Sequence, residues 1–252
     1  ISSATINAAS FSAFFDGAPV VSISGRPYDV DVRYVPVRQE YGNEDRYYKK
    51  IVDLVQDAII DGMGDILIFM PGEYDIDQTI GALRKSQIKN ELVIYPLFGR
   101  LSKEEQEKVF TPTPNGKTKV VVATNIAETS LTIDGIRTVI DSGLQKVNRY
   151  NQINYTSTLN PTPTSRASAD QRKGRAGRTA PGRCYRLYSK ESYEKRPMYT
   201  EEEIKHSDLA EVVLRMSELE IYNTDTFPFI TAPDSKAFKS AEKTLMIIGA
   251  IE

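Results

Sequence analysis

The sequence predicts an α/β protein: a largely parallel sheet with helices on both faces. Two observations carry the prediction. Short, continuous, β-branched apolar runs recur along the 252 residues, at "PVVSIS" (19–24), "DILIFM" (65–70), "ELVIYPL" (91–97), "TKVVVAT" (118–124), "IRTVID" (136–141) and "RCYRLY" (183–188). Amphipathic stretches lie between several of them: Ile51, Leu54, Val55, Ala58 and Ile59 fall at helical spacing within 44–62, and Ile76, Ile80 and Leu83 do so in the next. Strands apolar on both sides must be covered on both, and a helix between strands supplies the crossover that parallel pairing needs. Sheets of this kind bind ligands beyond the carboxyl ends of their strands. The loops "PGEYD", "TNIAETS" and "SGLQK" are therefore the expected places for chemistry.

Taken in order, each further element has its own signal. A helix is expected over 102–109, before the strand at 118. The stretch 143–165, "GLQKVNRYNQINYTSTLNPTPTS", alternates polar and apolar residues and ends in two prolines, which predicts a β-hairpin projecting from the sheet. From about Glu201 the chain turns helical: Ile204, Leu209, Val212, Val213, Met216 and Leu219 form one stripe, "TDTFPFITAP" breaks it, and "DSKAFKSAEKTLMIIGAIE" starts another helix. These last residues read as the start of a small helical domain.

Composition removes several function classes. No apolar run approaches a membrane span and no signal-peptide pattern opens the sequence, so a cytoplasmic location is expected. Cys184 is the only cysteine and His206 the only histidine, which removes a disulfide framework and leaves neither a Cys/His zinc site nor a Ser-His-Asp triad to build. No bound metal is expected on this chain. His206, in "EEEIKHSDL", reads as a surface residue near a helix start.

The net charge of −2 hides a segregation. Between Lys146 and Arg186 stand nine Lys or Arg and one acid, Asp170; between Lys190 and Glu220 stand nine acids and five bases. The basic stripe peaks in "ADQRKGRAGRTAPGR" (169–183), which gathers Arg172, Lys173, Arg175, Arg178 and Arg183 around three glycines. Such a stripe is a footprint for phosphates, or else a solvated basic face. A P-loop is the first phosphate-binding device to test. "NGKT" (115–118) fails it: Thr111 stands where the first glycine belongs, Pro112 and Pro114 flank the segment, and it leads into a strand instead of out of one. Arg175 and Arg178, three apart, would share a face on a helix and present two guanidinium forks to one polyphosphate, while Gly174 and Gly177 would let another backbone or a nucleotide approach.

"QRKGRAGR" (171–178), "TNIAETSLTIDG" (124–135), "LIFMPGEYDI" (67–76) and "SAT" (3–5) resemble motifs VI, V, IV and III of a superfamily 2 helicase, in that family's order and spacing. They are most similar to the DEAH/RHA (DEAH-box) ATP-dependent RNA helicases, and to bacterial members in particular; Gln171 at the head of motif VI separates the sequence from DEAD-box relatives. The resemblance spans essentially the whole chain. It implies a RecA-like parallel sheet, with residues 1–17 the tail of a first RecA-like domain, 18–200 the second RecA-like helicase domain with its projecting hairpin, and 201–252 the start of a winged-helix and helical-bundle region.

The resemblance also implies roles. Gln171, Arg175 and Arg178 would be the catalytic residues, Gln171 hydrogen-bonding the γ-phosphate or attacking water and the arginines acting as fingers on charge that develops in hydrolysis. ATP, or another NTP, with Mg2+ would be held mainly by a first RecA-like domain outside this chain, with Phe110 stacking on the base and Ser130, Thr132 and Asp134 near the nucleotide. RNA would run over Gly72, Gly99, Arg100, Thr124 and Asn125. In "FGRLS" (98–102) the resemblance is to motif IVa. Plainer readings stand beside these: Thr132 and Asp134 could form only a turn before Gly135, Phe110 could pack the 102–109 helix, and Gly72 could be a helix-start glycine. In the resembled family a hairpin at 146–164 meets the duplex junction, where Arg149, Tyr150 and Tyr155 could contact strands; the tyrosines could equally cover a sheet edge or dock on another domain. The partners implied are RNA, ATP and the protein's own other domains, with no membrane. The alternative is a nucleic-acid-binding module without ATP chemistry.

Overall fold

The structure, a computed structural model, describes residues 7–22, 28–37, 44–114, 116–129, 132–151, 154, 156–223 and 226–251. "SAT" at 3–5, Ser130 and Tyr155 lie outside them. The chain divides into two compact units, one built from 23–146 and 161–200, the other from 7–22, 147–160 and 201–252.

The first unit is the expected parallel sheet. Its strands are β1 (Val30–Tyr34), β2 (Asp65–Phe69), β3 (Leu92–Leu97), β4 (Thr118–Ala123), β5 (Ile136–Asp141) and β8 (Gly182–Arg186), in spatial order β1-β8-β5-β2-β4-β3 with every neighbouring pair parallel. Alternation along the strands sends side chains to opposite faces. Ile66, Ile68, Val120, Val122 and Ile140 meet α2 (Glu44–Ile60) and α3 (Glu73–Lys85) through Ile51, Leu54, Val55, Ile76 and Leu83. Leu67, Phe69, Val121, Ala123 and Val139 meet Val109, Ala127 and Ala176 on the other face. The central strands are buried on both sides, which is why they read as unbroken apolar runs.

Three expectations need correction. "PVVSIS" is not a strand in its described part: residues 19–22 are irregular and Val20 and Val21 are exposed. The strand at the edge beside β8 is β1, whose alternating Asp31 and Arg33 hide it from an apolar search; charge on an edge strand also blocks unwanted pairing. The 102–109 helix is shorter, α4 (Lys103–Glu107) with a Ser102–Glu105 capping box, and tightens into a 3₁₀ turn over Lys108–Phe110. The stripe from Ile204 is interrupted as well: a 3₁₀ turn at Glu203–Lys205 precedes α8 (Ala210–Glu218), and Leu219 is exposed beyond it.

The hairpin pairs β6 (Leu144–Asn151) with β7 (Thr156–Pro163). In the second unit Leu209, Val213 and Met216 pack against Ala237, Phe238, Ala241 and Leu245 of α9 (Ser235–Ile247). His206 is half-buried there, its Nδ1 donating to the Asn148 carbonyl at 2.8 Å while its own carbonyl accepts from the Tyr150 amide at 2.8 Å. Tyr150 lines a small cavity with Leu209 and Ala237. This supports the docking reading of that tyrosine over stacking on bases. Among the described residues no helix is long and apolar enough to cross a membrane.

Close backbone packing at Gly177 positions the turn that carries the arginines. Its carbonyl accepts from the Tyr28 amide at 2.8 Å, and a Cβ there would stand 2.5 Å from the Tyr28 carbonyl oxygen and 2.7 Å from Val30 Cγ2. Gly81, inside α3, has open space around it. Gly177→Ala is expected to destabilise by about 1–3 kcal/mol through overpacking, whereas Gly81→Ala should stabilise by up to about 1 kcal/mol. Urea melting of the two variants checks both signs.

Candidate functional site

The loops that follow β2, β3, β4 and β5 meet at one end of the sheet. Register fixes this: the Met70 amide donates to Ala123, the Thr124 amide to Leu97 and the Ser142 amide to Phe69, at 2.8, 3.1 and 3.2 Å. Thr124 and Asn125 leave β4 and begin the short helix α5 (Ile126–Thr129). Gly72 sits at the N-cap of α3 in extended backbone, with no side chain capping the helix, and Lys146 lies across it: a Cβ on Gly72 would be 2.6 Å from Lys146 Nζ. Gly99 and Arg100 follow β3, and Arg100 reaches Glu73 in the first turn of α3 at 3.6 Å. Gly72, Gly99, Arg100, Thr124 and Asn125 thus share one edge. An uncapped helix start beside a lysine suits an anion.

The second cluster is built on α6 (Arg166–Gly174), which Ser165 caps by accepting from the Ser168 amide at 3.1 Å. Arg172 is wholly buried on this helix. Its Nε donates to Glu128 Oε1 at 2.7 Å and its Nη1 to Asp141 Oδ1 at 2.8 Å, with the Phe69 ring 4.9 Å away. Burial pushes the guanidinium pKa down, but the charges of Asp141 and Glu128 outweigh it and the net direction is up. The remaining Glu128 oxygen accepts from the Ser168 hydroxyl at 2.8 Å.

Beyond Gly174 the α-helix ends, so Arg175 and Arg178 do not sit on a helix as expected. The amides of Arg175, Ala176 and Gly177 bond three residues back, at 3.1, 3.1 and 3.3 Å. Among the described residues the Arg178 amide makes no such bond, so the turn ends before it and the two side chains go to different acceptors. Arg175 is buried; its Nε donates to the Glu128 carbonyl at 2.8 Å and its Nη2 donates to the same oxygen. Arg178 is exposed and donates to the Thr132 hydroxyl. Burial first, then the Arg178 charge, lower the Arg175 pKa to about 10, so it remains a cation at neutral pH. Gly177 admits the Tyr28 backbone, while a Cβ on Gly174 would meet only open space. Gln171 is half-buried, and its amide nitrogen is buried without a hydrogen-bond partner among the described residues.

Val109 is fully buried in the same apolar cluster as Ala127 and Ala176, and Phe110 beside it remains 45% exposed. The core-packing reading of Phe110 is therefore met by its neighbour. Asp134 is exposed at the turn into Gly135. Cys184 is buried, which pushes its thiol up to about 12 and keeps it inert.

The basic stripe is not one surface. Arg183 pairs with Asp61 at 2.5 Å, and Arg186 pairs with Asp170 at 2.8 Å beneath the Tyr193 ring. Glu128, Asp141 and Lys146 are the residues that sequence reasoning missed. Lone acids at a strand end and inside "IAET" carry no spacing signal; the signal available was Arg172, a charge between two residues already assigned a function. Among the described residues no group of three or more His, Cys, Asp or Glu side chains could hold a metal. Removing the Glu128 carboxylate would leave Arg172 buried with one carboxylate. Glu128→Ala is expected to cost about 3–5 kcal/mol, against less than about 1 kcal/mol for exposed Arg178→Ala, as read by thermal melting.

Residues 48–180 match the family model described as helicase conserved C-terminal domain. Over all 252 residues the chain is 44% identical to an ATP-dependent RNA helicase HrpA homolog of Haemophilus influenzae and 45% identical to ATP-dependent RNA helicase HrpA of Borreliella burgdorferi. It spans only 19% and 30% of those two proteins. A crystal structure of the Escherichia coli DEAH/RHA helicase HrpB superposes with a TM-score of 0.87 at 32% identity, covering 99% of this chain and 31% of that one. The family match takes in more than half of the sequence, including the α5 and α6 clusters, and the chain belongs to the helicase conserved C-terminal domain family.

Proposed function

We propose that this chain is the second RecA-like half of an ATP-dependent RNA helicase of the DEAH/RHA class, acting in the cytoplasm. It lends Arg175 and Arg178 to a nucleotide held mainly, with Mg2+, by a first RecA-like domain of the longer protein. Residues 18–200 form that half, 1–17 belong to the first domain, and 201–252 open a winged-helix and helical region. The observation that carries the reading is the arginine pair. Two guanidiniums three residues apart are turned to neutral oxygens, Arg175 to the Glu128 carbonyl and Arg178 to the Thr132 hydroxyl, while the Glu128 carboxylate is already engaged by Arg172 and Ser168. Like charges held together favour a polyanion, and a γ-phosphate developing charge in hydrolysis is such a group.

The other residues take roles consistent with their places. Gln171 keeps a buried amide N–H for the γ-phosphate or attacking water. Half-exposed Phe110, next to Val109 of the apolar cluster that holds Ala176, stacks on the base. Thr132 and Asp134 serve the nucleotide, a role that the motif resemblance extends to Ser130. Gly72, Gly99, Arg100, Thr124 and Asn125 grip the RNA backbone, and Lys146 joins them at the uncapped start of α3.

In the full-length protein, Arg175→Ala or Arg178→Ala is expected to lower ATP turnover on the order of 10³-fold, with nucleotide-free RNA affinity nearly unchanged. Full-length protein that binds RNA but hydrolyses no ATP would instead favour a binding module without ATP chemistry. Lys146→Ala should weaken RNA binding across sequences and reduce the slope of log affinity against log salt by about 1. A salt titration with single-stranded RNA reads it.

A further inference from the structure

Arg172 has chemistry that the proposed ATP and RNA contacts leave unused. The guanidinium has no accessible surface, so it cannot touch a nucleotide or RNA. Its two carboxylate partners lead in different directions. Glu128 carries, on its backbone carbonyl, the bonds from Arg175. Asp141 accepts from the Gly143 amide at 2.8 Å and from the Tyr188 hydroxyl at 2.8 Å, and Arg172 Nη1 itself donates to the Leu144 carbonyl at 3.2 Å. Gly143 and Leu144 open the hairpin. Its return strand is fastened at the same point: the Gly143 carbonyl accepts from the Thr164 amide at 2.9 Å and from Arg196 Nη1 at 3.0 Å, and Arg196 also donates to the Thr164 hydroxyl at 2.7 Å.

A buried ion triad is a poor device for stability, since apolar residues of the same volume usually do as well. The sheet around it is already apolar, with Phe69, Val139 and Ala169 fully buried nearby in sequence and fold. What an arginine adds, and an apolar residue does not, is a rigid planar fork that fixes two acceptors relative to each other. Here Glu128 anchors the Arg175 turn through its carbonyl, and Asp141 anchors Gly143, to whose carbonyl the return stem is fastened in turn. We propose that Arg172 is a positioning residue that holds the Arg175 guanidinium and the base of the β6–β7 hairpin in one frame, so that hydrolysis and strand separation stay in step. The inference rests on the helicase reading above and assigns Arg172 no contact with substrate.

The test uses the full-length protein and a duplex RNA with a single-stranded overhang, measuring ATP hydrolysed and strands separated in the same reaction. Arg172→Lys keeps the charge but cannot span both carboxylates. It is expected to lower the strands separated per ATP hydrolysed roughly fivefold, with the KM for ATP close to that of the parent. A merely structural role would lower both activities together through a smaller folded fraction, leaving that ratio unchanged. An unchanged ratio in folded Arg172→Lys overturns the proposal. Should Arg172→Lys fail to fold, Glu128→Gln, which keeps volume and one acceptor for Arg172 Nε, takes its place: a lowered ratio supports the proposal and an unchanged one overturns it. A parent protein without RNA-stimulated ATP hydrolysis would sink the helicase reading instead, before any variant is compared.

Discussion

A guanidinium with no accessible surface has to be matched in charge, and Arg172 is matched by Glu128 on one side and Asp141 on the other, while its Nη2 stays buried without a hydrogen-bond partner among the described residues. The requirement reaches far along the chain. It forces α5 to lie beside α6, because Glu128 and Ser168 must meet. It forces the end of β5 to turn where Asp141 can accept from Gly143. Once those two junctions are fixed, the turn beyond Gly174 has little freedom, and Arg175 is left with the Glu128 carbonyl within reach.

The sheet supplies the rest of the frame. All of its pairings are parallel, so every strand ends at the same edge and the loops that follow converge without needing to be long. The edge gathers an uncapped helix start, Lys146, and the polar exit of β4. The face toward α6 gathers the arginines and Thr132. One architecture therefore presents two differently built anion-attracting regions, although the chain as a whole is slightly acidic.

Charge patterning read from sequence overstates how much of the basic stripe faces outward. Arg172, Arg183 and Arg186 are drawn into pairs with Glu128, Asp141, Asp61 and Asp170, partners remote in sequence except for Asp170. A helix or strand position tells which residues are neighbours along the chain, but not which acid a long, flexible arginine will find across a sheet. The solvated-face reading fails for Arg172 and Arg186, which are interior, and Arg183 is half-buried against Asp61.

Much was determined by sequence alone. Unbroken β-branched runs and the helical periods between them specified the parallel sheet and its two covers, because burial on both faces leaves no polar positions to spend. Local chemistry in "QRKGRAGR" and "TNIAETSLTIDG" marked the clusters at α6 and α5 and their neighbours. Only tertiary structure decided the rest. Strand β1 alternates charges and gave no apolar run, since Val30 and Val32 face the core while Asp31 and Arg33 are exposed on its other face. The helix expected under Arg175 and Arg178 stops at Gly174, where the Tyr28 backbone presses on Gly177. Tyr150 lines a cavity with Leu209 and Ala237 because residues far later in the sequence pack there. Glu128 and Asp141 became the partners of Arg172 for the same reason: a buried charge takes whichever counter-charge the fold brings to it, and that pairing is written in no local spacing.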